Sequence, residues 1–405
     1  MLGLTSICIF LFSALSLAVT SGYSFGALPL LLASTCLLWK RPRLNLQRQD
    51  YLLLGTLLLY FFVFTANMLY HADPTRELDI PLRALLAAPV LLLLLAYPPR
   101  PAAWWSGVAI GAIASAALAF WQLIVLHLER PQAATSNAIH YGNASMLLGM
   151  LLLCGLGWAR EQRNRTTWTL LILAGTLAGV LGSIVSGSRG GWLVLPVCTG
   201  IIALHHAKTH DKRYIIGAVI VIIITLGSLT YALPNSQIRK RMDIAVNEMQ
   251  DFEYGADLKW SSVGQRLEMW RTALLMSSEH VWMGIGRTGY LEEKRIMVAE
   301  GKMSDVISNY TNAHNDYLDT LVKRGITGLL ALLLLFLAPL ALFARALRHS
   351  ASPAQPYALA GVVLCTCYMI FGLTTSSLTL NIGIIMLVFP MVILWSMLRH
   401  QERTT

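Results

Sequence analysis

Residues 311–319 read TNAHNDYLD, a polar stretch with one histidine, and an apolar run over residues 326–343 follows it. A run of this kind approaches the ~20 residues that an α-helix needs to cross a lipid bilayer. Gly325 and Gly328 lie at the start of the predicted membrane helix. The sequence therefore places a titratable side chain, His314, at a membrane surface.

The composition of the whole chain is that of a membrane protein. Of its 405 residues, 56% are hydrophobic and only 13% are charged, and its mean hydropathy is +0.58. A soluble domain has about 25% charged residues. We therefore expect an all-α polytopic membrane protein with about twelve transmembrane helices. Their predicted positions are 2–19, 23–39, 51–70, 80–97, 102–126, 144–158, 168–185, 191–204, 215–233, 326–343, 357–374 and 380–398.

These runs divide the chain into three parts. Residues 1–233 hold predicted transmembrane helices 1–9, and residues 326–405 hold helices 10–12 with a short tail. Residues 234–325 form one large loop domain, which we expect to be mostly helical and to carry much of the active site. Within this domain, apolar residues recur at helical spacing over 263–276, so we predict an amphipathic helix there.

The distribution of lysine and arginine predicts the orientation. The loops expected inside are rich in both, whereas short loops on the other side hold only Arg76, Arg130 and Arg189. By the positive-inside rule both termini are cytoplasmic and residues 234–325 lie outside. The net charge of +10 comes mostly from this bias. It does not indicate nucleic-acid binding, because no basic stripe with interleaved aromatic residues lies outside these loops.

The ends of the chain and its cysteines add two expectations. The first predicted span has no basic segment before it, so we interpret it as a retained helix and not as a signal peptide. All six cysteines fall within predicted spans. We therefore expect neither a disulfide framework nor a Cys/His zinc site.

Three arginines on the outer side have chemically suggestive surroundings. Arg189 stands among small residues in the segment 186–192, Arg266 lies on the predicted amphipathic helix, and Arg287 follows two glycines in the segment 283–290. Glycine-rich turns let backbone N–H groups and a guanidinium converge on a phosphate. Simpler interpretations remain open: Arg189 as a cap of the preceding helix, Arg266 as a residue that reaches lipid headgroups, and Arg287 as part of an ordinary loop.

His314 differs from the other outer histidines in its surroundings. His127, His140 and His280 also fall outside the predicted spans but lack the polar cluster and the glycines behind it. Asp316 and Asp319 are three residues apart and would share one face of a helical turn. Two carboxylates and a histidine make a poor Mg²⁺ or Ca²⁺ site, so we expect no required metal.

Together these residues resemble the O-antigen ligase family, within the superfamily shared with O-antigen polymerases and bacterial O-linked oligosaccharyltransferases. The family pattern is a His-Asn pair followed by nine residues, a glycine, two residues and a small or aromatic residue. It is met by His314, Asn315, Gly325 and Gly328. Arg189, Arg266 and Arg287 also look like the family's external arginines. The layout of about twelve spans with one large late loop is similar as well.

The resemblance implies a GT-C-like glycosyltransferase in the inner membrane of a Gram-negative bacterium. Its donor would be a glycan on undecaprenyl diphosphate, and its acceptor the sugar of lipid A-core, at the periplasmic face. The bidentate fork of an arginine suits a diphosphate, so Arg189, Arg266 and Arg287 are the predicted diphosphate ligands. His314 is the predicted general base, and Asn315 and Asp316 are weaker candidates for orienting it or the acceptor.

One direct displacement on this scheme inverts the anomeric configuration and needs neither a metal nor a cofactor. An O-antigen polymerase or an O-linked oligosaccharyltransferase of the same superfamily is the nearest alternative. A flippase or transporter for polyprenyl-linked glycans is the alternative from another class. A transporter would place ionisable residues in mid-membrane and show related halves, but the charges here gather at the outer face.

Overall fold

The structure is a computed structural model, and it describes residues 1–206, 262–349 and 352–404. Over these residues the chain is helical and contains no β-strand. The predicted span at 215–233 and the first part of the predicted loop domain, up to residue 261, lie outside the described residues. The boundaries of the three predicted parts therefore remain predictions.

The described residues form sixteen α-helices and four short 3₁₀ turns. In chain order the helices are α1 Leu2–Leu15, α2 Ser24–Ser34, α3 Cys36–Lys40, α4 Arg48–Tyr70, α5 Asp79–Ala96, α6 Pro101–Ile124, α7 Ala138–Cys154, α8 Leu156–Arg160, α9 Arg165–Ser186, α10 Arg189–Trp192, α11 Val194–His206, then α12 Ser262–Ser277, α13 Gly286–Ala299, α14 Asp316–His349, α15 Gln355–Thr374 and α16 Asn381–Thr404. Short 3₁₀ turns lie at Thr75–Leu78, Asp305–Ile307, Ser352–Ala354 and Ser377–Thr379.

Eight helical segments of the described chain are long and apolar enough to cross a membrane. They correspond to the runs predicted at 51–70, 80–97, 102–126, 144–158, 168–185, 326–343, 357–374 and 380–398. Two shorter apolar segments, Leu2–Leu15 and Ser24–Lys40, coincide with the first two predicted spans. The run at 191–204 falls in α11, which has only 13 residues. The protein is thus an all-α multi-pass membrane protein, and the number twelve remains a prediction.

The membrane helices share one apolar core. α7 and α16 are the most enclosed, with nearly all of their residues buried. α9 packs against both α6 and α7, whereas α14 packs along α4 and α15. α7 begins at Ala138, ahead of the predicted run at 144–158, because the side chain of Asn137 accepts the N–H groups of Ile139 and His140. This cap brings polar residues into the first turn of an enclosed helix.

The helices α12 and α13 form a smaller unit beside the N-terminal end of α14. The helix predicted at 263–276 is confirmed as α12. Its predicted apolar face is wrong: Leu267 and Leu274 are exposed, and the buried face is formed by Met269, Ala273 and Met276, because these are the residues that face α13 and α14. Both helices pack against α14. Their common core is separate from that of the membrane helices and is rich in methionine; it consists of Met269, Ala273, Met276, Tyr290, Met297, Met303, Ile307, Ala313 and Val322.

Two glycines allow this unit to cross closely over α14. Gly284 and Gly325 both have positive φ, 68° and 63°. α14 is non-helical at Gly325, where ψ is −164°. A Cβ added there would lie 2.3 Å from the carbonyl oxygen of Trp282. The backbones are joined across this crossing by a hydrogen bond of 3.0 Å from Ile285 N to Val322 O. Close backbone contact therefore explains why a glycine stands at position 325.

We predict that Gly325→Ala destabilises the protein and lowers its activity. This φ,ψ region is nearly restricted to glycine, so backbone strain alone costs about 1–3 kcal/mol, and the overlap with Trp282 adds to it. Thermal unfolding of the detergent-solubilised variant would measure the loss. Gly55→Ala on α4 is the matched control, because an added Cβ there meets nothing within 4 Å. Equal melting temperatures for the two variants would show that the crossing tolerates a side chain.

Candidate functional site

His314 lies in the turn that leads into α14. Its φ is 50°, a left-handed conformation that is uncommon outside glycine. The side chain of Asn312 accepts its backbone N–H at 3.1 Å. The next residue, Asn315, caps α14: its Oδ1 accepts the N–H groups of Tyr317 and Leu318, both at 3.0 Å. The turn on both sides of His314 is thus fixed by asparagine side chains.

A buried lysine holds the loop that precedes this turn. Lys294 of α13 is 1% exposed, and its Nζ donates to the carbonyl oxygens of Ile307 and Tyr310 at 2.6 and 2.7 Å. Burial, followed by the like charge of Lys323, lowers the pKa of Lys294 to about 8. Sequence reasoning missed this residue, because its partners are main-chain atoms that leave no pattern in the sequence.

A second lysine fixes the same loop from α14. Lys323 is buried and forms an ion pair with Asp319 one turn away, at 2.7 Å. Its Nζ also donates to the carbonyl oxygen of Thr311 at 2.8 Å, and Asp319 accepts the N–H of Ala313 at 3.0 Å. The indole N–H of Trp270 donates to the carbonyl oxygen of Ala313 at 3.1 Å. These contacts join α12 and α14 to the residue directly before His314.

The surroundings of His314 favour its neutral, basic form. Its burial, then the nearby Arg266 guanidinium, lower the pKa of His314, and Lys294 acts in the same direction; Asp319 opposes them. The ring of Tyr310 contacts the imidazole edge to face, with 5.2 Å between ring centres. Nδ1 is buried and has no hydrogen-bond partner within the described ranges. A neutral imidazole in this position is suited to accept a proton.

Of the three predicted arginines, Arg266 is the one whose charge acts on the pKa of His314. It lies on α12, half-buried, four residues before Trp270. The indole of Trp270 binds the loop next to His314, as described above. The same helix thus carries the arginine and fixes the loop that carries the histidine.

Arg189 follows the helix break that its small neighbours predicted. α9 ends at Ser186, the capping residue Gly187 has a φ of 68°, and the short α10 begins at Arg189. A Cβ added at Gly190 would lie 2.2 Å from the hydroxyl of Thr374, at the end of α15. The side chain of Asn315 donates to the carbonyl oxygen of Leu373 at 3.1 Å, next to Thr374. Arg189 and the His314 turn therefore adjoin the same end of α15.

Arg287 is occupied by carboxylates from the connection between α4 and α5. Its backbone N–H donates to Asp73 at 2.8 Å, and the N–H of Thr288 donates to the same carboxylate at 2.9 Å. Its guanidinium pairs with Glu77, which also binds Arg324 at 3.3 Å. The N–H groups and guanidinium that the glycine-rich turn offers do converge on anionic oxygens, but these belong to the protein. A diphosphate at Arg287 would share the guanidinium with Glu77 or replace it.

His140 has a different setting from the one expected at the sequence level. It was predicted as an outer histidine without special surroundings, yet it lies in the first turn of α7 and is 9% exposed. It lies within electrostatic range of His314. Both of its ring nitrogens are buried, and the backbone of Ser376 and Ser377 lies next to the ring. The expectation failed because α7 extends beyond its apolar run to the Asn137 cap.

Asp316 and Asp319 are both used by the protein's own groups. The carboxylate of Asp316 accepts the backbone N–H groups of Ser377 and Leu378, at 2.9 and 3.2 Å, and so fixes the loop after α15. Asp319 pairs with Lys323. Across the residues that the structure describes, no group of three or more His, Cys, Asp or Glu side chains is placed to hold a metal ion. The expectation that no metal is required stays a prediction.

Comparison with known proteins confirms the resemblance drawn from the sequence. Residues 174–333 match the family model described as O-Antigen ligase. This segment contains Arg189, Arg266, Arg287 and His314. The chain is also 28% identical over 377 residues to a protein of Haemophilus influenzae described as uncharacterized. This alignment covers 92% of this chain and 93% of that protein. The family match supports a glycosyltransferase-like membrane enzyme.

Proposed function

We propose, from the match of residues 174–333 to the O-antigen ligase family, that this protein transfers a glycan from undecaprenyl diphosphate to lipid A-core. The proposed site faces the periplasm from the inner membrane of a Gram-negative bacterium, and both chain termini are proposed to be cytoplasmic. The observation that carries the proposal is His314: a half-buried imidazole with a lowered pKa, in the matched segment, at the outer end of a membrane helix.

The proposed reaction is one displacement at the anomeric carbon. A hydroxyl oxygen of the acceptor sugar bonds to that carbon, and its proton passes to the imidazole of His314. The bond from the carbon to the diphosphate oxygen breaks, and undecaprenyl diphosphate leaves with the electron pair. A single displacement inverts the anomeric configuration. The donor carries its own leaving group, so the proposed reaction uses neither a metal nor a cofactor.

The arginines are proposed to neutralise the diphosphate as it leaves. A guanidinium is always charged and binds two phosphate oxygens at once. Arg266, beside His314, and Arg189, at the end of α15 that adjoins the His314 turn, are the better supported ligands. Arg287 is proposed as a third ligand, for which Glu77 competes with the donor. For Asn315 and Asp316 we propose a positioning role, since Asn315 caps α14 and Asp316 fixes the 377–378 backbone.

We predict that kcat/KM falls on the acid side with a midpoint below the ordinary pKa of histidine. The base acts in its neutral form, and the lowered pKa of His314 keeps it neutral at pH 6.5, where an ordinary histidine is half protonated. The midpoint of kcat/KM against pH should therefore lie below 6.5. Arg266→Gln removes a charge that lowers the pKa, so its midpoint should shift upward.

Arg271→Gln is the control for this measurement, because Arg271 lies on the same helix and is exposed. Its midpoint should equal that of the parent protein. The slower transfer expected of Arg266→Gln does not hide the shift, since the midpoint is independent of the plateau rate. A midpoint above 6.5 in the parent protein would contradict the assignment of His314 as a base in these surroundings.

The proposed function is tested with purified protein, a lipid-diphosphate glycan and separate acceptors. We expect glycan to appear on lipid A-core. Product on an undecaprenyl-linked glycan would identify a polymerase, and product on a protein would identify an oligosaccharyltransferase. In sealed vesicles, movement of the lipid-linked glycan across the bilayer without any transfer would favour the transporter alternative.

A further inference from the structure

Helix α12 exposes an apolar face on the side that does not pack against the rest of its unit. Leu267, Leu274 and Leu275 lie along this side, and Leu274 and Leu275 are 51% and 52% exposed. The opposite side carries Met269 and Met276, which are buried in the core shared with α13. A surface helix in water typically carries charged and polar residues opposite its packed side. We call the three leucines the α12 apolar face.

The charged residue among these leucines is an arginine. Arg271 is exposed, and it lies between Leu267 and Leu274 on the same side of α12, because residues three and four apart share a helix face. Its aliphatic stem can lie along an apolar surface while the guanidinium reaches lipid phosphates. An apolar helix face with a basic residue is typical of a helix that lies in a membrane surface.

The neighbouring helix α13 exposes the opposite kind of surface. Most of the long side chains that it exposes are charged: Glu292, Glu293, Arg295 and Glu300. Such groups lose free energy when they leave water, so this side of the unit belongs in water. The two helices share one core, and yet their outward sides suit different solvents. α12 therefore marks the side of the unit that suits lipid.

The α12 apolar face continues into the exposed surface of the membrane helices. Trp282, in the connection after α12, is 71% exposed, and its carbonyl oxygen accepts the N–H of Thr327 at 3.3 Å. The tryptophan thus lies level with the first turn of the apolar run of α14, where tryptophan is enriched in membrane proteins. Leu275, Trp282 and Tyr70, the last residue of α4, line one open groove. Apolar surface therefore joins α12 to the ends of two membrane helices.

We propose that α12 lies in the membrane surface, with the α12 apolar face among the lipids and Arg271 at their phosphates. A helix of this kind buries its apolar face about 5–10 Å into the boundary of headgroups and acyl chains. A protein bound there would interrupt the apolar surface that joins α12 to the membrane helices. The lipid contact does not depend on the proposed reaction. It fixes the helix that carries Arg266 and that binds, through Trp270, the residue before His314.

Fluorescence quenching in lipid nanodiscs tests the position of the α12 apolar face. Leu267→Cys and Leu274→Cys each place a bimane label on it, in a Cys36→Ser background, because the other five native cysteines are buried. The nanodiscs contain phosphatidylethanolamine, phosphatidylglycerol and a phosphatidylcholine with a nitroxide near its headgroup. This lipid should quench both labels strongly. Iodide in the buffer should quench them several-fold less than it quenches a label in water.

Glu293→Cys and Leu337→Cys are the controls. Glu293 is exposed on the charged side of α13, so iodide and not the lipid should quench its label. Leu337 is exposed in the apolar run of α14, so a nitroxide at the end of an acyl chain should quench its label. Iodide quenching at positions 267 and 274 as strong as at 293 would place the α12 apolar face in water and overturn the lipid contact. Labels that neither iodide nor lipid reaches would show that protein covers this face, which would overturn it as well.

Discussion

Replacing His314 with alanine is expected to lower glycan transfer by roughly 10²–10⁴-fold, the contribution typical of a positioned general base. Expression and membrane insertion should be unchanged, because His314 lies before α14 and outside the helices that form the membrane core. The rate of transfer per folded protein, at saturating donor and acceptor, is the quantity to measure.

His280→Ala is the matched control for this experiment. His280 lies between α12 and α13, with an exposed side chain, and it is outside the His314 turn. It should transfer at the parental rate. If His314→Ala also retained the parental rate at equal protein levels, another group would have to accept the proton. His140, buried and within electrostatic range, would then be the next residue to replace.

Replacing Arg266 with lysine should impair transfer although the charge is kept. An ammonium cannot supply the two parallel hydrogen bonds of a guanidinium. Alanine should be worse and should weaken donor binding roughly ten- to a hundredfold, since a hydrogen bond to a charged group contributes about 1.5–3 kcal/mol. Binding of lipid A-core should change little. We expect the same order, Arg then Lys then Ala, at Arg189.

Arg287 either binds the donor or serves only as a structural partner of Glu77, and two variants distinguish these roles. If it binds the donor, Arg287→Lys should weaken donor binding, and Glu77→Gln should strengthen it, because the competing carboxylate is removed. If it only ties α13 to the connection after α4, both changes should lower thermal stability and leave donor binding unchanged. Measuring donor binding and melting temperature together decides between these roles.

The control for the arginine series is Arg295→Ala. Arg295 is an exposed residue of α13 that pairs with the nearby Glu292. It should bind donor and transfer glycan as the parent does. If all three predicted arginines serve only to reach lipid headgroups, lysine should be nearly neutral at each, since it reaches them equally well. Parental behaviour in all three lysine variants would refute the diphosphate ligands.

The features that sequence reasoning predicted well are those with a local pattern. Apolar runs gave the eight long helices, and the helical spacing of apolar residues over 263–276 gave α12, although not the face that it buries. The small residues around Arg189 gave a helix break. In each case neighbouring residues determine the backbone, so their order along the chain is sufficient.

The features that sequence reasoning missed depend on contacts between residues far apart in the chain or on main-chain atoms. Glu77 and Arg287 are separated by 210 positions, and nothing near either residue indicates the other. Lys294 and Lys323 bind carbonyl oxygens, which every residue possesses. His140 was placed outside its helix because a polar cap, not an apolar residue, sets where α7 begins.

The core shared by α12 and α13 has a consequence for how the protein is made. Val322, on α14, is one of its buried members, and the hydrogen bond from Ile285 reaches the same residue. A chain synthesised from its N-terminus produces α12 and α13 before it produces α14. Their common core therefore stays incomplete until Val322 has been synthesised. A separately expressed segment of residues 262–313 would lack this partner and should not fold by itself.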